Sequence, residues 1–314
     1  MFLVATFGLA VKQKNWQINL SYQCFQLEKK SLNLINIRVM KILIPIDFSK
    51  LSKLAVNFAV KMAMELDAEL VLLNVVFLDA PPSATMSLKN AEEVMKNNPE
   101  IDSVLMINEL KEQHKGSLNI THKIIMGNSV EDIVENYAVH NGIDLIVMGT
   151  KGATGLEKYI IGSNAAAVIS NSSIPVITVP ENARFNGLKH IVYATDIWDF
   201  NIEAKALVPL AQLFNSTIHI VHIIKPNSKK NTEIKTITTD LISDLNYPKI
   251  KFKVVINDDI INGIDEYITD VKADMLAMFT RELTFFEKLF GKSVTRQMVF
   301  HSWIPMITFK KTWA

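Results

Sequence analysis

An internal repeat constrains this chain most, because a chain that repeats itself must build the same supersecondary unit twice. Residues 41–47 (KILIPID) match residues 190–196 (HIVYATD) at an offset of 149, and both segments end in aspartate. The second half of each copy matches at an offset of 130, without a gap over residues 137–179. Two aligned pairs illustrate it: LIVMGT (145–150) with MLAMFT (275–280), and IPVITV (174–179) with IPMITF (304–309). The sequence therefore predicts two tandem domains, 40–181 and 188–312, with a boundary at the polar stretch 181–187.

Each copy alternates short apolar runs with amphipathic stretches. KILIPI (41–46) and LVLLNVV (70–76) are almost wholly apolar, which is typical of parallel strands buried on both faces. Between them, apolar residues recur every four positions, as on one side of a helix. The pattern continues with strands expected at 119–126, 144–149 and 175–180, and helices around 88–115, 130–141 and 162–171. This predicts an α/β fold of two tandem open, mostly parallel sheets flanked by helices.

The stretch after the fourth predicted strand carries the clearest chemical signal. Gly149, Gly152 and Gly162 are followed by Ser163 in the spacing G-x2-G-x9-G-S. Glycine lets backbone amides approach a phosphate because no Cβ stands in the way. A helix that begins at the last glycine and the serine would offer its free amides and its dipole to an anion. Lys151 adds a positive charge beside this loop.

Asp47, directly after the first strand, lies where a ligand of an open parallel sheet is expected. Such ligands bind beyond the carboxyl ends of the strands, at the point where the strand order reverses. Gly149 meets the same rule at the end of the fourth strand. Two plainer interpretations stay open, since Asp47 is also a good cap for the first helix and the glycines also suit a tight loop. The loop is not a Walker loop, because GxxxxGK[ST] does not occur in the sequence.

Together, the loop pattern and the segment PID (45–47) resemble the universal stress protein family. The resemblance spans about residues 40–312, and it implies an ATP-binding fold of the adenine nucleotide α-hydrolase-like, Rossmann-like type. By that resemblance Asp47 contacts the adenine or ribose, Val75 contacts the base, and Gly127 lies near the ribose. The family usually has histidine before that valine, whereas this chain has Asn74. The residues expected to bind ATP, with or without magnesium, are Pro45, Asp47, Val75, Gly127, Gly149, Lys151, Gly152, Gly162 and Ser163.

The second copy does not keep the loop. At the offset of 130, the three glycines of the first copy's pattern align with bulky or charged residues of the second, Phe279, Glu282 and Lys292. Only the serine is kept, as Ser293. A carboxylate repels phosphate and a phenylalanine blocks the approach of the backbone, so this copy is expected not to bind ATP. Its expected role is structural: it packs against the first copy as an intramolecular pseudo-dimer, with a homodimer also open.

Composition narrows the class of protein further. With 33 basic and 32 acidic residues the net charge is +1. This lacks the excess of positive charge expected of a protein that binds nucleic acid or an anionic membrane. Cys24 is the single cysteine, so no intramolecular disulfide can form, which fits a cytoplasmic location. No apolar run reaches the roughly 18 residues that a spanning helix needs. Residues 1–39 precede the first strand without a basic signal-peptide start, and they are expected to be a disordered extension or an untranslated stretch.

These patterns favour an ATP-binding regulatory protein of the stress-response type that is not an enzyme. Near the loop the sequence has no positioned general base, arginine finger or acidic metal pair of the kind that phosphoryl transfer needs. His219 and His222 lie three residues apart in one strand, on opposite faces, so they are not expected to share a metal ion. An adenylating enzyme of the α-hydrolase-like class is disfavoured because the turn after the first strand (IDFSKLS) lacks glycine. A nucleotide-free scaffold or small-ligand binder with a relic loop remains the main alternative.

Overall fold

Strands that are apolar on both faces set the layout of the molecule. In β1 (Lys41–Pro45), Ile42, Leu43 and Ile44 have no exposed surface. A strand buried in this way needs helices on both sides of its sheet, as in α/β proteins. The computed structural model describes residues 39–77, 99–150, 163–197, 199–226, 245–280 and 304–310.

In the first half of the chain, the described strands and helices alternate as the sequence predicts. The strands that follow β1 are β2 (Glu69–Phe77), β3 (Ile120–Gly127), β4 (Leu145–Gly149), β5 (Val176–Val179), β6 (His190–Ala194), β7 (Thr217–Ile224), β8 (Ile250–Ile256), β9 (Met275–Thr280) and β10 (Met306–Lys310). The helices are α1 (Lys50–Leu66), α2 (Pro99–Gln113), α3 (Val130–His140), α4 (Ser163–Asn171), α5 (Phe200–Leu213) and α6 (Ile260–Val271).

All ten strands belong to one sheet, in the order β3-β2-β1-β4-β5-β10-β9-β6-β7-β8. The first five strands and the last five follow the same order from their outer edge inwards. Pairing is parallel everywhere except between β5 and β10, which run antiparallel. The predicted α/β class with a mostly parallel sheet is confirmed. The two predicted sheets are joined edge to edge, which removes two unpaired strand edges.

The join between β5 and β10 has a two-fold pattern. Thr178 of β5 donates its hydroxyl to the carbonyl of Met306 (3.3 Å), and Thr308 of β10 donates to the carbonyl of Val176 (3.2 Å). Both threonine side chains are buried. The two strands therefore make the same bond to each other in opposite directions.

One apolar core runs under both halves of the sheet. Helices α3, α4 and α6 contribute residues such as Val134, Val168 and Ile268 to this single cluster, together with alternate residues of the strands. On α1, the ring of Phe58 lies 5.2 Å from that of Phe185, in the linker between the two halves (residues 181–187). The ring of Phe185 lies in turn 5.7 Å from that of Phe214, at the end of α5. The linker that looked polar in the sequence is thus fixed by a buried aromatic side chain.

Candidate functional site

The strand order reverses between β1 and β4. From β1 the chain moves outwards to β2 and β3, and it then returns to β4 on the other side of β1. Asp47 follows the carboxyl end of β1, and Gly149 is the last residue of β4, so the two lie at neighbouring strand ends. A crevice at such a reversal is the usual ligand site of an open parallel sheet.

Asp47 begins a tight turn that leads into α1. Its Oδ1 accepts a hydrogen bond from the backbone N–H of Ser49 (3.0 Å), and Ser49 caps α1 by accepting from the N–H of Ser52. Phe48, between Asp47 and Ser49, has a φ of 59°, a left-handed conformation that bulky residues rarely adopt. Desolvation acts to raise the pKa of Asp47, but hydrogen bonds from Ser49 and Ser52 outweigh it and hold the pKa below the ordinary value. The turn therefore presents an exposed, ionised carboxylate at the strand end.

Gly149 touches the start of the same helix. A Cβ added at this position would lie 2.4 Å from the carbonyl oxygen of Leu51 and 3.2 Å from the backbone nitrogen of Ser52. The clash would be with backbone, so no side-chain rotation could relieve it. The first glycine of the loop pattern is thus required by the packing of β4 against the first turn of α1, whether or not a phosphate also lies there.

Asn74 ties β2 to the turn. Its Nδ2 donates to the carbonyl of Ile46 (2.8 Å), the residue directly before Asp47. The Asn74 side chain is buried, and its Oδ1 has no hydrogen-bond partner among the described residues. The sequence offered Asn74 only as a departure from the family pattern and missed this bond, because the residues it joins are 28 positions apart.

Three further predicted residues, Pro45, Val75 and Gly127, lie on strands of the first half. Pro45 is the buried last residue of β1, and Val75 is partly buried near the end of β2, next to β1. Gly127 ends β3, the outer strand, so β2 and β1 separate it from Gly149 on β4. The structure therefore brings Asp47, Val75 and Gly149 onto three adjacent strands and leaves Gly127 at the margin.

Both ends of the glycine-rich loop are positioned by secondary structure. Thr150 extends the β4–β5 pairing through its N–H, which donates to the carbonyl of Val179 (3.0 Å). Ser163 is the first residue of α4, as predicted. The predicted loop residues Lys151, Gly152 and Gly162 lie outside the described residues.

The second half repeats the turn but not the first glycine. Asp196 stands at the position of Asp47, and the next residue, Ile197, has a φ of 78°, matching the left-handed Phe48. Phe279 of β9 takes the place of Gly149. It stacks on Phe309 at 4.7 Å and meets Tyr193 edge-on at 5.3 Å. The other substituted loop residues of this half, Glu282, Lys292 and the retained Ser293, lie outside the described ranges.

A buried polar group adjoins these aromatic rings. The Tyr193 hydroxyl bonds the carboxylate of Glu203 and the hydroxyl of Thr195, and all three side chains are buried. Burial, followed by the charge of Glu203, raises the pKa of Tyr193 far above its ordinary value. The space beside β6 and β9 is thus packed with aromatic rings and a paired carboxylate.

Two further classes of site, a metal centre and a membrane-spanning helix, are not found among the described residues. In the ranges that the structure describes, no three histidine, cysteine, aspartate or glutamate side chains are grouped so that they could hold a metal ion. None of the helices described combines the length and the apolar character needed to cross a membrane.

Sequence comparisons agree with this geometry. The profile of the Universal stress protein family matches residues 39–180. A universal stress protein of Methanocaldococcus jannaschii is 34% identical over 140 residues, which are 44% of this chain and 81% of that protein. A second one from the same organism is 30% identical over 159 residues, covering 46% of this chain and 97% of the relative.

Solved structures extend the likeness beyond the first half. The crystal structure of a universal stress protein from Archaeoglobus fulgidus matches 86% of this chain and 98% of its own, with a TM-score of 0.60 and 16% identity. A putative universal stress protein from Pseudomonas aeruginosa matches 87% of this chain and 93% of its own, with a TM-score of 0.56 and 14% identity. At these identities the likeness shows the fold alone. On the strength of the profile and the relatives, the chain belongs to the universal stress protein family.

Proposed function

We propose that this protein binds ATP, with or without magnesium, in the crevice between β1 and β4, and acts as a regulatory protein of the stress response. The proposed contacts are the nine residues predicted from the sequence: Pro45, Asp47, Val75, Gly127, Gly149, Lys151, Gly152, Gly162 and Ser163. Binding would change conformation or partner affinity, with at most slow hydrolysis. The observation that carries the proposal is the meeting of the Asp47 turn and the Gly149 strand end at the point where the strand order reverses.

We further propose that the two halves act as domains 40–181 and 188–312 in an intramolecular pseudo-dimer. The shared strand order and the two-fold bonds between β5 and β10 support this arrangement. The second domain would be structural, because Phe279 replaces Gly149 there. Its ring and its aromatic neighbours occupy the space beside the strand end, whereas Gly149 has no side chain. The single cysteine is in keeping with a cytoplasmic location.

The repeat provides a matched test, since Asp47 and Asp196 occupy the same position in the two halves. Replacing Asp47 with alanine is expected to weaken ATP binding roughly tenfold or more, because a hydrogen bond to a charged group is worth about 1.5–3 kcal/mol. Asp196→Ala is expected to leave ATP affinity unchanged. Calorimetric titration of both variants measures this. Equal loss in the two variants, or none in either, would contradict a site confined to the first half.

One alternative, a nucleotide-free scaffold, has a specific observation in its favour. Gly149 is required by packing against the backbone of Leu51, so its presence does not depend on a phosphate. If ATP, ADP and AMP all fail to bind while the protein remains folded, the scaffold is preferred. Release of pyrophosphate on incubation with ATP would instead support the hypothesis of an adenylating enzyme.

A further inference from the structure

The carbonyl before Asp47 is held by a reciprocal pair of hydrogen bonds with β2. The N–H of Ile46 donates to the carbonyl of Leu73 (2.8 Å), and the next residue, Asn74, returns a bond from its Nδ2 to the carbonyl of Ile46 (2.8 Å). A carbonyl oxygen can only accept, so the Asn74 amide must point its NH2 group at it.

In the second half the same pair is built with a different side chain. The N–H of Thr195 donates to the carbonyl of Val221 (3.0 Å), and the next residue, His222, bonds the carbonyl of Thr195 through Nδ1 (2.8 Å). Because that carbonyl too can only accept, His222 carries its proton on Nδ1. Asparagine and histidine differ in size and titration, but each puts one N–H donor at this point.

The two residues after each of these carbonyls also correspond between the halves. Asp47 and Asp196 come next, and after them the left-handed residues Phe48 and Ile197, with φ of 59° and 78°. Left-handed backbone at a bulky or β-branched residue persists only where the surroundings hold it in place. A donor fixing the carbonyl just before this turn is such a constraint.

The burial of Asn74 indicates that its amide serves the bond to the Ile46 carbonyl. The residue is 7% exposed, and its Oδ1 has no partner among the described residues. A buried oxygen without a partner is costly, so packing alone would favour an apolar side chain here.

We propose that Asn74 is a positioning residue for the nucleotide site: through the Ile46 carbonyl it holds the Asp47 turn in its binding geometry. His222 fixes the backbone of the corresponding Asp196 turn in the second half, where no ligand is proposed. The role requires an N–H donor rather than asparagine itself. The part that concerns ligand affinity rests on the proposed binding of ATP, whereas the part that concerns the geometry of the turn does not.

The test uses the full chain with Asn74→His, which copies the second half, and Asn74→Leu, which is close in size but has no donor. A matched control is Ser103→Ala, which removes another buried side-chain bond to a carbonyl (Ser103 Oγ to Pro99, 2.6 Å) on α2. The readouts are ATP affinity by calorimetry and the pKa of Asp47 by carboxyl-carbon NMR. We expect Asn74→Leu to bind ATP about tenfold more weakly, while Asn74→His and Ser103→Ala stay within about threefold of the parent.

The pKa readout separates this proposal from the proposed function. In Asn74→Leu the released turn should weaken the bonds from Ser49 and Ser52, so the pKa of Asp47 should rise towards its ordinary value; in the other two variants it should stay low. Parent-like affinity in Asn74→Leu, or equal loss in Asn74→His, would overturn the proposal. If the parent itself binds no ATP, the proposed function fails, and the Asp47 pKa alone decides: a rise confined to Asn74→Leu supports the positioning role, and no rise overturns it.

Discussion

At position 149 the backbone of β4 approaches the first turn of α1 so closely that only a hydrogen atom fits between them. The nearest atoms to an added Cβ are the carbonyl oxygen and carbon of Leu51, at 2.4 and 2.7 Å. The same residue lies at the strand end where the proposed ligand would enter. Structure and function therefore place separate demands on one glycine, and the structural demand can be measured by itself in the absence of nucleotide.

Gly149→Ala is expected to destabilise the ligand-free protein by about 1–3 kcal/mol, the usual cost of overpacking, because the first turn of α1 must move. Gly127→Ala is the matched control. Its Cβ would meet only the end of the Ile133 side chain, at 2.5 Å from Cδ1, and that group can rotate away. Urea unfolding measures both costs. An equal or smaller loss at position 149 would mean that the contact with Leu51 does not constrain the residue.

Sequence reasoning identified Asp47 and Gly149 because each follows an apolar strand, and strand ends are visible in a pattern of residues. It missed the bond from Asn74 to Ile46, since a side chain that reaches a backbone carbonyl on a neighbouring strand leaves no spacing to recognise. The repeat did not show it either, because at the offset of 149 Asn74 falls on Ile223 and only the structure aligns it with His222. His222 sits where Asn74 sits, and both side chains can donate a hydrogen bond.

At the scale of elements, β6, β7 and α6 are joined by a chain of rings in the second half. His190 Nδ1 and His219 Nε2 are 3.1 Å apart, and His219 Nδ1 lies 3.2 Å from the hydroxyl of Tyr267. His219 is 3% exposed, and burial, helped by the nearby His190 and Lys251, lowers its pKa from 6.5 to about 4. His219 is thus neutral in the folded protein at neutral pH.

This lowered pKa makes stability depend on pH. Between pH 6.5 and about 4 the unfolded chain takes up a proton at His219 and the folded chain does not, so stability falls as the pH falls through this window. His219→Val, which copies Val71 of the first half, should flatten the profile, by at most about 1.4 kcal/mol per pH unit. His140→Gln, at an exposed position, is the control. Urea unfolding at several pH values would refute the claim if the His219→Val slope matched that of the parent.

At the scale of the whole molecule, the two halves form one continuous structure. The sheet runs through β5 and β10, the apolar core beneath it contains residues of both halves, and Phe185 of the linker packs between Phe58 and Phe214. The sequence predicted an α/β fold with mostly parallel pairing, and the structure has it. The sequence did not predict the antiparallel join, because two short apolar strands more than a hundred residues apart carry no mark of which edge they will meet.

The two-fold character of the join gives a paired prediction. Thr178→Val and Thr308→Val each remove one buried hydroxyl bond of the same kind, so each should cost about 1 kcal/mol, and the two costs should be similar. Thr121→Val is the control, since its hydroxyl lies on the outer strand β3, is exposed, and makes only a 3.5 Å contact. Unfolding free energies that differ widely between the two variants would show that the join is not symmetric in energy.

The central claim is that one chain binds one ATP, in its first half. Calorimetric titration of the full chain with ATP and magnesium, beside a Gly152→Glu, Gly162→Lys variant that copies the loop of the second half, tests it most directly. We predict about one ATP per chain for the parent and none for the variant. Binding of two ATP per chain, or binding that survives in the variant, would contradict the claim, and no binding by the folded parent would leave the fold intact but remove the proposed function.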